Sequence, residues 1–276
     1  MVELDPGFAA RLASETTTLA MCWRIVRTDG VALGFTAHDR DLVVDGLRYR
    51  SRPGMLPSAI TLSDGFDADL MEVSGALSAA AIAGRDLEAG RYDGASLELF
   101  LVDWEAPSAG RLPMARGTLG NFTQADQSFT AELRGPAAQL ERPVTELISP
   151  ECRASLGDRR CRVPLAARTS VTVVTAVVDA VTVDVSAAAG DYAYGRLRWL
   201  EGANAGLDSA ILGSIGNRLT LREPPPFALA SGVRVELREG CDKRLATCAT
   251  RFANAANFRG EPHVPGSDLL TRYPGV

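Results

Sequence analysis

Short runs of β-branched and apolar residues, broken every few positions by Gly, Asp, Asn or Pro, make up most of this chain, and they predict strands joined by tight turns. Leu19 to Arg27 reads as a strand, Asp29-Gly30 as a hairpin turn and Val31 to Thr36 as the returning strand. Leu42-Val43-Val44 and Leu47-Arg48-Tyr49, split by Asp45-Gly46, form a second hairpin. Ile60 to Leu62, Leu70 to Val73, Ser96 to Trp104, Arg116 to Thr123 and Ser128 to Leu133 complete the strands of the first half. Three stretches have helical character. They are Pro6 to Ala13 with Asp5 as N-cap, Ala79 to Ala89 stopped at Gly90, and Pro136 to Arg142.

The second half is more strongly β. Val171 to Val185 is packed with β-branched residues, and Tyr192 to Leu200, Ser209 to Ile215, Arg218 to Leu221 and Gly232 to Leu237 continue the pattern. This predicts a barrel of five or six strands across about Thr169 to Glu239. The expected fold is mainly β (α+β): two β-barrel-like domains with short helices, residues 1–150 and 151–276, joined by a cysteine-bearing region.

Composition narrows the class. A hydrophobic fraction of 46% over 276 residues is enough for two cores. The net charge of −5 and pI near 5.2 argue against a general nucleic-acid binder. No apolar run reaches the length of a membrane span, so stable membrane insertion is not expected. Met1-Val2-Glu3-Leu4-Asp5 is acidic and no apolar segment follows, so no secretory signal is expected and a reducing compartment is.

Four of the five cysteines carry the candidate chemistry. Cys152 and Cys161 precede the predicted barrel, Cys241 and Cys248 follow it, and a compact barrel with adjacent ends would bring them together. Two disulfides, a zinc ion or an iron–sulfur cluster are the competing occupants. The gaps of eight and six residues within the pairs are wider than a zinc knuckle, while cubane ligand spacing is more variable. Arg153, Arg159, Arg160, Arg162, Lys243 and Arg244 flank the pairs, and such cations favour thiolates. Spacing and charge together leave metal binding and free or disulfide-bonded cysteines open. Cys22 lies in an apolar strand and reads as a buried thiol. His38, in the turn His38-Asp39-Arg40-Asp41, reads as part of a hydrogen-bond network. A Cys22/His38 cysteine hydrolase, a cell-wall peptidase, is the enzymatic alternative. His263 in the irregular tail reads as a packing or hydrogen-bonding residue rather than a ligand.

Two stretches resemble a known family. Gly34-Phe35-Thr36-Ala37-His38-Asp39-Arg40-Asp41-Leu42, the four cysteines and the tail from Asn257 to Gly266 occur in the order found in baseplate hub proteins of gene transfer agents and long-tailed siphophages. The resemblance implies a non-enzymatic virion protein, assembled in the bacterial cytoplasm and resident in the tail baseplate. It implies a homotrimer lying between the distal tail protein ring and a tail-tip (megatron-like) protein with its associated peptidase. DNA would pass through the lumen without specific binding. By similarity to the tail-tip protein of phage lambda, which is similar in place, Cys152, Cys161, Cys241 and Cys248 would hold an iron–sulfur cluster of the [4Fe-4S] type, with zinc the alternative.

Overall fold

In a computed structural model of the chain, residues 6–52, 55–57, 70–76, 82–125, 128–135 and 145–264 are described. The chain divides into two compact units, 1–144 and 145–276. No helix among the described residues is long and apolar enough to cross a membrane.

The first unit begins with helix α1 (Pro6–Leu12), as Pro6 at a first helical position predicts, with Phe8 buried. Its strands are β1 (Leu19–Val26), β2 (Ala32–Thr36), β3 (Leu42–Val44), β4 (Leu47–Arg50), β5 (Met55–Pro57), β6 (Leu70–Ala76), β7 (Ser96–Asp103), β8 (Arg111–Ala125) and β9 (Ser128–Arg134). They form one nine-stranded sheet in the order β3-β4-β2-β1-β7-β8-β9-β6-β5. The expected strand at Ile60–Leu62 and the expected helix at Pro136–Arg142 fall outside the described residues.

Sequence neighbours pair as hairpins, but β4 also runs parallel to β2, with Gly34 opposite Tyr49. A Cβ at Gly34 would lie 2.9 Å from the Tyr49 ring, so only glycine lets these strands approach. The central pair β1 and β7 is buried on both faces. Trp23, Ile25, Leu97 and Leu99 enter the main core, while Ala20, Cys22, Phe100 and Val102 enter a second cluster with Leu42, Val44 and Tyr49. A register shift against β8 falls between Leu99 and Phe100, where the buried residues of β7 pass from one cluster to the other. Burial on both faces explains why β1 and β7 read as continuous apolar runs.

The helix expected over Ala79–Ala89 is shorter. Helix α2 covers Gly84–Glu88, Ala83 before it is extended, and Ile82 is buried in the main core. Residues 79–81 lie outside the described residues. Burying Ile82 from extended backbone outweighs the alanine-rich helical propensity of the stretch. Gly90 ends the segment at φ +70°, as a C-terminal glycine does.

The second unit contains β10 (Thr169–Val177), β11 (Thr182–Val185), β12 (Arg196–Trp199), β13 (Asp208–Ile215), β14 (Arg218–Leu221) and β15 (Arg234–Arg238). They close into a barrel in the order β10-β11-β14-β13-β12-β15, with β15 returning to pair with β10. Alternation fills the lumen with Val174, Val183, Val185, Leu197, Trp199, Ile211, Leu219, Leu221, Val235 and Leu237. Trp199 places its indole N–H on Ser209 Oγ at 3.0 Å, so its one polar atom is satisfied inside the core. The fold is therefore mainly β, with the barrel in the second unit and an open strand order in the first.

Candidate metal centre

The closing pair of the barrel decides where the cysteines go. Because β10 and β15 are hydrogen-bonded neighbours, with Thr169 opposite Arg238, the segment entering the barrel and the segment leaving it emerge side by side. Glu239 N–H donates to the Arg168 carbonyl and extends this closure by one step. Gly240 then passes so close to β12's approach that a Cβ there would stand 1.7 Å from the Ala193 carbonyl oxygen. Glycine at this position lets the chain turn directly into Cys241. Helix α3 (Leu245–Thr250) follows and carries Cys248.

The two cysteine segments are stitched together by backbone. Cys152 N–H donates to the Lys243 carbonyl and Arg153 N–H to the Arg259 carbonyl, both at 2.9 Å. Asp158 shapes the first segment. Its carboxylate accepts N–H bonds from Cys161 (2.7 Å), Ser155 (2.8 Å) and Arg160 (2.9 Å), and these hold its pKa below the usual carboxylate value against the opposing effect of burial. A charged network anchors α3 to the barrel rim. Glu239 accepts from both Arg168 (2.7 Å) and Arg251 (2.6 Å), Arg251 also reaches Asp191, and the two guanidiniums flank the Phe252 ring.

Cys152, Cys161, Cys241 and Cys248 consequently line one small cavity of about 10 Å³, together with Ala154, Phe252 and Asn254. All four are free thiols, so the disulfide alternative is not what this geometry contains. Cys161 and Cys248 are buried, and the other two are partly so. Backbone and side-chain N–H groups point at sulfur: Arg259 N–H lies 3.4 Å from Cys152 Sγ, and Asn254 Nδ2 3.7 Å from Cys161 Sγ. No three His, Cys, Asp or Glu side chains among the described residues are gathered as a single ion would need. The four sulfurs thus share a cavity without converging on one point. Four soft thiols with N–H donors around a closed cavity are a donor set that suits thiophilic metal.

The electrostatics differ from what the flanking cations predict. Burial raises the pKa of Cys241, with Lys243 only partly offsetting it, and burial raises that of Cys248, reinforced by the other three thiols. Arg153 and Arg160 direct their charge to Glu146 and Glu261 instead: Arg153 bonds Glu261 at 2.6 and 2.8 Å and Glu146 at 3.0 Å, and Arg160 pairs with Glu146. Cys241 and Cys248 are therefore held toward the neutral S–H, and metal binding at these two has to displace their protons.

The chain matches the family described as "Baseplate hub protein, N-terminal attachment domain" over residues 5–164 and that described as "Phage conserved hypothetical protein BR0599" over residues 190–268. The chain belongs to the baseplate hub protein family. A solved chain from the structure described as "Virion of native gene transfer agent (GTA) particle" is 38% identical, with a TM-score of 0.82, and the match covers 98% of this chain and 96% of that one. Among curated proteins there is no match.

The hub protein does not assemble the Cys22/His38 pair. Cys22 is fully buried, its S–H donates to Thr36 Oγ1 at 3.6 Å, and desolvation raises its pKa, which is the reverse of nucleophile activation. His38 stacks on Trp104 with ring centroids 5.0 Å apart, and its Nδ1 accepts from Arg40 N–H at 3.1 Å. The turn is the hydrogen-bond network its mixed charges predict, with Asp41 accepting from Ser51 and Arg48. His263, expected as a packing or hydrogen-bonding residue, is exposed on the turn closed by Val264 N–H to the Glu261 carbonyl, which sets aside the packing role. Residues the sequence did not single out complete the centre: Asp158, Asn254, Asn257 and Glu261. The spacing Asn254-Ala-Ala-Asn257 was the available signal, since both asparagines line the cavity.

Proposed function

We propose that this chain is a structural hub of a phage-like tail baseplate, of the gene transfer agent or siphophage type, and that its four paired cysteines hold an iron–sulfur cluster that locks the base of the barrel. The single observation that carries the cluster reading is the convergence of Cys152, Cys161, Cys241 and Cys248 as free thiols on one cavity. A zinc ion at Zn–S bonds of about 2.3 Å draws its four sulfurs to roughly 3.8 Å of one another. A cluster would be held by the thiolates of Cys152, Cys161, Cys241 and Cys248 around that cavity. When bound, the cluster supplies a cross-link, and no electron-transfer role follows from it.

The residues of the chain do the rest. The cysteine segments flank 79 residues between Cys161 and Cys241, so joining them removes unfolded-state freedom as any cross-link over a long loop does. Asp158 and the Arg259 and Asn254 N–H groups hold the donors in place. The Arg153–Glu261 pair and the Ser149–Glu261 bonds tie the tail segment back onto the segment that carries the first cysteine pair. A barrel fixed in this way presents one rigid surface to be repeated around a symmetry axis. The assembly consistent with the family and with the virion match is a homotrimer between the distal tail protein ring and a tail-tip protein with its peptidase, with DNA passing through the lumen.

The test is anaerobic purification followed by counting iron and acid-labile sulfide and recording the visible spectrum. Brown protein with matched iron and sulfide is expected. Colourless protein with one zinc per chain would replace the cluster by the zinc alternative, and metal-free protein would remove the metal centre altogether.

A further inference from the structure

Asn254 touches one cysteine from each pair. Its side-chain nitrogen donates to the Cys161 carbonyl at 2.6 Å and also reaches Cys161 Sγ at 3.7 Å. A carboxamide nitrogen carries two hydrogens, so both contacts can be made together. On the opposite side, the Asn254 backbone N–H donates to the Cys248 carbonyl at 3.0 Å, and the Cys248 thiol donates to the Asn254 carbonyl at 3.4 Å. The orientation of the carboxamide is not free. Asn257 Nδ2 donates to Asn254 Oδ1 at 2.7 Å, which fixes oxygen away from Cys161 and leaves only N–H facing the sulfur. Ala253, at φ +47°, provides the left-handed step that turns the chain after α3 and brings Asn254 over the cavity.

We propose that Asn254 is a positioning residue of the thiol centre, donating an N–H···S hydrogen bond to the Cys161 thiolate, with Asn257 locking its orientation. This rests on the reading of the four cysteines as metal ligands. An N–H donor stabilises negative charge on a ligating sulfur and so favours the more reduced, more negative state of a cluster.

The experiment uses the full chain, reconstituted anaerobically with ferrous iron and sulfide, as wild type, Asn254→Asp and Asn257→Ala. Asn254→Asp keeps the size and the acceptor for Asn257 but replaces the donor to Cys161 with a carboxylate. A negative shift of the midpoint potential is expected, with about tenfold faster loss of iron to a chelator, the scale of an outer-shell change. Asn257→Ala keeps the donor but frees its orientation, so a smaller shift in the same direction is expected, and this variant carries the test should the first not fold. Wild-type protein that holds iron and sulfide, with potential and release rate unchanged in the folded variants, would overturn the role of Asn254 alone. Wild-type protein that takes up no iron would instead overturn the metal centre on which it rests.

Discussion

At the scale of single residues, the five cysteines separate by what surrounds them. Cys22 is enclosed by Tyr49, Phe100 and Val102 in the first unit, whereas the other four face one another in the second. Serine at Cys152, Cys161, Cys241 or Cys248 is expected to lower metal content and destabilise the second unit. Serine at Cys22 is expected to cost the first unit about 1 kcal/mol, since Thr36 remains as a partner for the hydroxyl, and to leave metal content unchanged. Metal analysis with thermal melts of each variant checks this, and Cys22→Ser being the more damaging to metal content would remove the shared site. Glu261 gives a pH signature. Its bonds to Arg153 and to Ser149 N–H lower its carboxyl from the ordinary 4.5 to about 2. A carboxyl depressed on folding stabilises fully above pH 4.5 and loses that contribution as pH falls through about 2. Glu261→Gln should therefore flatten the decline of stability between pH 4.5 and 2, measured by denaturant midpoints across that range.

At the scale of elements, the barrel's closing strands and the cysteine segments form one device. The β10–β15 pairing sets the entry and exit side by side, and Gly240 lets the exit turn without opening the pair. Gly240→Ala would force a Cβ against the Ala193 carbonyl and is expected to cost about 1–3 kcal/mol, the range of overpacking, together with displacement of Cys241. The readout is a lowered melting temperature of the second unit accompanied by weaker metal retention. An alanine that preserved both would show that this close approach does not position the ligand. In the first unit, the short α2 illustrates how burial overrides local preference. Ile82 is only 1% exposed, and its extended neighbour Ala83 starts the helix five residues later than alanine content predicts.

At the scale of the whole molecule, two units with separate cores predict two unfolding transitions. Chelation of the metal should lower the transition of the second unit and leave that of the first, read by calorimetry with and without chelator; a shift in the first transition instead would place the metal elsewhere. Assembly belongs to this scale as well. Purified chains are expected to be monomeric and to become trimeric on the distal tail ring, which mass measurement in solution and particle reconstruction both test. A stable dimer in solution and in particles would count against the hub arrangement.

Strand positions and the barrel were legible in the sequence because each depends on local periodicity or on turn residues, and the common locus of the cysteines followed only through the expectation that a closed barrel has adjacent ends. Asp29-Gly30, Asp45-Gly46 and the β-branched run after Thr169 specify their hairpins without help from distant chain. The parallel pairing of β2 with β4, the extended backbone at Ala83 and the diversion of Arg153 and Arg160 to Glu146 and Glu261 were not legible. These depend on which surfaces meet after folding, and no period along the chain encodes that. The sequence by itself determined that four thiols flank a β module. Only tertiary structure decided that they remain free around one cavity, with Cys161 and Cys248 buried and the pKa of Cys241 and Cys248 raised, because burial and hydrogen bonding at sulfur are set by chain segments roughly a hundred residues away in order and adjacent in space.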